Sequence, residues 1–319
     1  MATRKMILDL DTGIDDAMAI AYAVAAPDVD LIGIVSSYGN VLTPLSAQNS
    51  LKILELLGQQ DVPVFLGESH SSTTTQFEVM PISVQIHGKN GIGEVSLPTA
   101  KRQPETKSGV DFLIESAHTY GKDLIVVPTG PLTNLAKALK QAPEIQNEIG
   151  NVTLMGGALT VPGNVSPVAE ANINQDPTAA DQVFESNLNI TMVGLDVTLR
   201  TLLTKNETAQ WRKLNTVAGE KFADIVDYYI DVYKITSPHL HGCALHDPLA
   251  VGVALDPSLV STLDINMFVD TTKEMWGRTI GDPARLTDQH PNVSVALTVN
   301  QDTYLKRFMT YLSELFSQN

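Results

Sequence analysis

The sequence predicts an α/β protein with an open, mainly parallel (mixed) central sheet and helices on both of its faces. Three observations carry that expectation. Short apolar runs of four or five residues recur along the chain, with the continuity that suits strands buried on both sides. Between them lie segments with the period of amphipathic helices, and helices alternating with buried strands imply parallel pairing. Across 319 residues there is no internal repeat or low-complexity tract, and 68–108 is the longest region without a clear period.

Each element follows in order. Met6-Ile7-Leu8-Asp9-Leu10 reads as a buried strand, and 15–26 as a helix that stops before Pro27, because the residue before proline avoids helical geometry. A second strand at 31–35 precedes Thr43-Pro44, an N-cap and first-turn pair for a helix to about Leu57. The buried-strand pattern returns at 62–66, 124–127, 152–155 and 190–193, with helical patterns at 110–120, 132–139 and 178–185. The later chain is helical from 205 to about 234, returns to strand near 263–269, and alternates polar and apolar over 292–299 as a half-buried strand does. An amphipathic helix at 304–316 follows. The expected organisation is one domain over 1–319 in which 68–108 is a mobile active-site loop, since long irregular segments in compact domains are commonly functional.

Composition narrows the function. With 36 acidic against 21 basic residues the formal net charge is −15, and no dense Lys/Arg cluster offsets it, which argues against nucleic acid and anionic membranes as partners. Asp9, Asp11, Asp15 and Asp16 interrupt the first apolar stretch, and the run 17–26 is far shorter than the roughly 18 residues of a membrane span, so neither export nor anchoring is expected. Cys243 stands alone, which rules out a disulfide framework and a thiolate zinc site and points to a reducing cytoplasm.

In an open parallel sheet, ligands bind beyond the carboxyl ends of the strands. Asp9-Leu10-Asp11-Thr12-Gly13-Ile14-Asp15-Asp16 sets four carboxylates in eight residues where the first strand gives way to the first helix. Helix capping accounts for one or two of them. Four together repel unless a cation neutralises them, and oxygen ligands point to Ca²⁺ or Mg²⁺ rather than zinc. An EF-hand counted from Asp9 fails, because its sixth and twelfth positions hold Ile14 and Ile20. Further polar groups gather at other strand ends: Pro128-Thr129-Gly130-Pro131-Leu132-Thr133-Asn134, Met155-Gly156-Gly157, the amide-rich stretch from Asn164 to Asn172, and His246-Asp247-Pro248.

Together with Tyr38-Gly39-Asn40 and Ile86-His87-Gly88 followed by Gly91, these motifs resemble, in order over about residues 5–255, those of the inosine-uridine-preferring nucleoside hydrolases. The resemblance implies that family's open mixed sheet of Rossmann-like topology. It also implies hydrolysis of the N-glycosidic bond of a small-molecule ribonucleoside to ribose and free base, usually by a homo-oligomer, dimer or tetramer. A Ca²⁺ would be held by Asp11, Asp16, Asp247 and the carbonyl of Thr129, with water and two ribose hydroxyls completing its shell. Asp11 would orient and deprotonate the attacking water. Asp15, Asn40, Asn164, Glu170 and Asn172 would bind ribose, with Met155 beside the sugar, His246 facing the base as its proton donor and His87 closing over the site.

The chemistry agrees independently, because cleaving C1′–N builds positive charge on the sugar and an acidic pocket stabilises that charge more than the neutral substrate. Two rival readings fit less. Asp9-Leu10-Asp11 suits a haloacid-dehalogenase-like phosphatase, which leaves Asp15-Asp16, the Asn164 stretch and His246-Asp247 unexplained; a non-catalytic nucleoside- or sugar-binding protein needs neither Asp11 nor His246. Purine against pyrimidine preference stays open, as does entry of His239 or His241 into the site; His70, His118 and His290 are expected in solvent.

Overall fold

The computed structural model describes residues 3–319. In chain order the first half comprises β1 (Arg4–Leu10), α1 (Ile14–Ala25), β2 (Val29–Ser36), α2 (Thr43–Leu56), β3 (Val64–Leu66), α3 (Pro81–His87), β4 (Glu105–Ser108), α4 (Gly109–Tyr120), β5 (Leu124–Pro128), α5 (Thr133–Gln141) and β6 (Asn151–Met155). There follow α6 (Ala171–Gln175), α7 (Pro177–Phe184), β7 (Ile190–Val193), α8 (Leu195–Thr198), β8 (Leu202–Leu203), α9 (Lys205–Arg212), α10 (Val217–Thr236), β9 (Cys243–Ala244) and α11 (His246–Leu255). The chain then runs through β10 (Val260–Ile265), β11 (Met267–Asp270), β12 (Arg278–Gly281), β13 (Val293–Val299) and α12 (Gln301–Phe316).

Nine strands form one sheet in the order β10-β13-β7-β6-β5-β1-β2-β3-β4, parallel throughout except where β10 pairs with β13. Alternation along β1 divides its side chains between two cores. Met6, Leu8 and Leu10 join the cluster packed by α1, α2, α10, α11 and α12, while Ile7 joins the one packed by α4, α5 and α7. This is the expected α/β architecture.

From β1 the chain moves outward through β2, β3 and β4, then returns across β1 to continue from β5 on its other side. The connections therefore part between the carboxyl ends of β1 and β5, which opens a crevice there. Two hydrogen bonds extend the pairing just past the strand ends, from the Thr129 N–H to the Asp9 carbonyl (2.8 Å) and from the Ser37 N–H to the Leu10 carbonyl (2.6 Å). They fix the backbone that carries the acidic motif.

Three local expectations are corrected. Thr43 is not the cap of α2 but lies inside its first turn, Leu42 occupying the N-cap, and the Thr43 hydroxyl donates to the Glu68 carbonyl at 2.8 Å. The helical stretch from 205 breaks into α9 and α10, because Asn215 takes φ of 54° and Thr216 caps the second helix through the Gly219 N–H. The strand near 263–269 is two strands in separate sheets, turned at Asn266, whose side chain binds the Arg285 carbonyl and the Asn292 N–H. Within 68–108 lie α3 and β4. Among the described residues no helix is long and apolar enough to cross a membrane.

Candidate active site

The acidic motif straddles the start of α1, a helix buried from Ile14 to Ala23. Its cap is not an Asp: Gly13 is the N-cap, and its N–H donates to Asp16 Oδ2 at 2.8 Å. Gly13 is needed there because a Cβ would lie 2.6 Å from His87 Nδ1 and 2.9 Å from Asn40 Nδ2. At Gly39, φ is 153° and a Cβ would come within 1.9 Å of Asp11 Oδ2. Two bare backbone positions thus let side chains crowd around the carboxylates.

Asp16 is held by three donors: Gly13 N–H, Asn40 Nδ2 (3.3 Å) and, at Oδ1, the Thr129 hydroxyl (2.9 Å). Asp11 Oδ2 accepts the Asn40 N–H at 2.5 Å, whereas Asp11 Oδ1 is buried without a partner. Asp15 Oδ1 is likewise unpaired, with His87 Nδ1 at 4.0 Å, and its Oδ2 lies 3.5 Å from the Tyr229 hydroxyl. Asp247 enters from the first turn of α11, which packs on α1. Carboxylate oxygens of Asp15, Asp16 and Asp247 lie within 4.8 Å of one another. This triad differs from the expected ligand set, which has Asp11 where the geometry brings Asp15.

Burial dominates the electrostatics. It pushes the Asp15 carboxyl up to about 8, with Asp16 adding to the rise, and drives Asp11 and Asp247 well above the usual range with neighbouring carboxylates reinforcing it. Asp16 rises for the same first cause. Orphaned acid oxygens and mutual repulsion in one buried cluster fit a divalent cation, and every donor is a hard oxygen.

Above the cluster lies a cavity of about 270 Å³. Every expected site residue except Asp11 and Asp16 lines it; those two are fully buried. The Asn172 amide donates to the carbonyls of Thr129 (2.8 Å) and Met155 (3.2 Å), bridging the ends of β5 and β6. Glu170 caps α6, accepting the N–H groups of Gly157, Asn172 and Ile173, and burial raises its carboxyl. Asn164 Oδ1 accepts the Ala171 N–H at 3.0 Å.

His87 ends α3, and its Nδ1 accepts the Ile14 N–H at 3.1 Å; burial, with His246 adding, pushes its pKa down to about 3. His246 opens α11, with Tyr233 Oη 2.8 Å from Nε2 and Thr198 Oγ1 2.8 Å from Nδ1, and burial lowers its pKa to about 4. His239, His241 and His290 are exposed and His118 is exposed beside Glu148 at 2.7 Å, whereas His70, expected in solvent, is half-buried with Nδ1 2.9 Å from the Ser71 carbonyl. Neither His239 nor His241 lines the cavity, although Thr236 and Ser237 do. Sequence reasoning missed Tyr229 and Tyr233 as individual cavity residues; their four-residue spacing on α10 was the available signal. It missed Thr198 entirely.

Comparison with known proteins gives the family. The family model described as inosine-uridine preferring nucleoside hydrolase matches residues 6–306. A probable uridine nucleosidase 2 of Arabidopsis thaliana is 37% identical over 98% of this chain and 98% of its own length. A pyrimidine-specific ribonucleoside hydrolase of Escherichia coli is 32% identical over 94% and 95%. The solved structure of a purine-preferring ribonucleoside hydrolase from Gardnerella vaginalis superposes with a TM-score of 0.98 at 56% identity, covering 99% of this chain and 100% of that one. With a buried acidic cluster at the switch point and a match over nearly its whole length, the chain belongs to the inosine-uridine preferring nucleoside hydrolase family.

Proposed function

We propose that the protein hydrolyses the N-glycosidic bond of ribonucleosides, purine ribonucleosides foremost, giving ribose and free base. The observation that carries this reading is the cluster of Asp11, Asp15, Asp16 and Asp247 beneath a cavity that His246 also lines. An acidic floor favours an electron-poor sugar, and an imidazole in the same cavity can meet a departing base. The purine preference is supported by 56% identity to the purine-preferring hydrolase, against 37% and 32% to the uridine and pyrimidine enzymes.

In this reading calcium would be held by Asp11, Asp16, Asp247 and the Thr129 carbonyl, with Asp11 Oδ1 the unpaired oxygen free to reach it. Calcium is favoured over magnesium because it accepts backbone carbonyls and irregular shells of six to eight oxygens. When bound, the ion supplies the positive charge that fixes a vicinal diol and makes water more acidic. Asp15, which lines the cavity with Oδ1 free, faces the ribose hydroxyls with Asn40, Asn164, Glu170 and Asn172, and Met155 packs beside the sugar. Asp11 takes the proton of the attacking water at Oδ1, its other oxygen being held by Asn40. His246 offers its Nε2 proton to the base nitrogen as the bond breaks.

The same proposal takes 1–319 as one catalytic domain, with the α3 segment of 68–108 a mobile cover for the cavity, since Met80, Ile82, Ser83 and Ile86 line it with His87. A dimer or tetramer is the assembly that membership of the family implies. The lone buried Cys243 suits a reducing cytoplasm. Incubation with inosine and with uridine, followed by chromatography of the free base, tests the reading. Hypoxanthine release with a larger kcat/KM than uracil release is the expected result; phosphate release from phosphomonoesters without base release would overturn it.

A further inference from the structure

His246 is gripped at both ring nitrogens, and its two partners differ in what else they touch. Tyr233 lines the cavity, whereas Thr198, at the end of α8, is fully buried and does not. The Nε2 side of the ring therefore faces substrate space and the Nδ1 side faces the interior. Thr198 is not on a free loop. Asp196 of the same short helix accepts the N–H groups of Leu159 (3.0 Å) and Thr160 (2.7 Å), which pins α8 to the segment after β6.

Among the described residues the Thr198 hydroxyl has one side-chain partner, His246 Nδ1 at 2.8 Å. A buried hydroxyl that only accepted from that nitrogen would leave its own proton unused, and a buried unmade donor is costlier than an unused lone pair. The Tyr233 hydroxyl, bonded to the ring at Nε2, borders the cavity, where its own proton can meet solvent, whereas the enclosed Thr198 proton has only Nδ1 to reach; donation from Thr198 to Nδ1 is therefore the better-satisfied arrangement. A neutral imidazole whose Nδ1 accepts carries its proton on Nε2.

We propose that Thr198 is the positioning residue for His246: its hydroxyl donates to Nδ1, fixes the ring plane and places the ring proton on Nε2, where the departing base meets it. The purpose rests on the hydrolase reading above; the geometry does not. As C1′–N breaks, its electron pair leaves with the base and the Nε2 proton passes to the base nitrogen, leaving the ring an imidazolate whose charge the Thr198 hydroxyl meets at Nδ1 and the Tyr233 hydroxyl at Nε2. Hydroxide from water bonds to C1′, and the other water proton goes to Asp11, from which solvent returns a proton to the ring. Because a hydroxyl rotates, Thr198 accepts from Nδ1–H whenever both ring nitrogens are protonated, and so holds the ring throughout. A carboxylate at this position, able only to accept, would instead fix the proton on Nδ1.

Nitrogen NMR of the full chain labelled with ¹⁵N in its histidine rings reads the tautomer directly, with His246→Gln identifying the signals. The native chain should show His246 as the Nε2–H form. Thr198→Val, which keeps the shape and removes the hydroxyl, should lose that form as the dominant one. Its kcat on inosine should fall about 10- to 100-fold with KM changed less than about threefold, while a nitrophenyl riboside, whose phenolate leaves unprotonated, is nearly spared. Thr198→Ser should restore both tautomer and kcat. An Nδ1–H native form, an unchanged tautomer and kcat in Thr198→Val, or equal loss on both substrates would overturn the proposal, the last by showing a packing role. Absence of nucleoside cleavage by the native chain would sink the hydrolase reading alone, because the tautomer measurement still decides what Thr198 does.

Discussion

Asp9 and Asp11 lie two residues apart, and their surroundings divide their work. Asp9 Oδ1 accepts the Asn134 amide at 2.7 Å, and burial pushes its carboxyl up to about 7; like Asp11 it stands behind the cavity lining with one oxygen unpaired, but no neighbouring carboxylate adds to its rise. Asp11 has one oxygen pinned by Asn40 and the other free beside Asp15 and Asp16. Asp11→Asn should therefore lower kcat by about 10²- to 10⁴-fold, the usual range for a lost general base, while weak substrate binding remains. Asp9→Asn should cost far less; steady-state kinetics of both variants check this, and the reverse order would exchange their roles. At this scale the sequence exposed the acids, the amide-rich stretch and His246 through local crowding. It hid Thr198, because one threonine in an apolar segment carries no pattern, and its meaning appears only when α8 and α11 meet.

Elements show where a local pattern suffices and where it does not. The strands of the central sheet are buried on both faces and announce themselves as apolar runs, whereas α3 has seven residues, too few to display a helical period. The break between α9 and α10 was written in Asn215 and Thr216, residues that tolerate a left-handed turn and cap a helix, yet apolar periodicity on both sides masks it. Between α6 and α7, Asp176 ties three elements together. It accepts from the Ser72 N–H (2.7 Å) and hydroxyl (2.8 Å), from the Thr133 hydroxyl (2.7 Å) and from the Ala179 N–H (3.1 Å), so one buried carboxylate anchors the segment leading to α3 onto α5 and α7. Asp176→Ala strands those donors and should destabilise the fold by about 2 to 4 kcal/mol. Urea unfolding would measure that loss, and limited proteolysis should show earlier cleavage within 68–80.

For the molecule as a whole, the buried acids make folding and ion binding one equilibrium. A ligand that binds only the folded state adds about 2.7 kcal/mol at a hundred times its dissociation constant, so thorough chelation should lower Tm by about 5 °C or more and abolish turnover, with Ca²⁺ restoring both. Calorimetry beside a base-release assay checks this; full activity and an unchanged Tm in a verified metal-free sample would refute it. Base preference was not legible in the sequence, because the cavity is lined from α3, from Leu199 just after α8 and from α10, which no local pattern brings together. The packing of α11 against α1 has a consequence for biosynthesis. Asp11, Asp15 and Asp16 are made together where β1 passes into α1, and the fourth acid arrives only when residue 247 has been made, after β2 to β9. The nascent chain can lay down β1 and its neighbours before the full repulsion exists, and the pocket is assembled only after most of its scaffold stands ready to bear the strain.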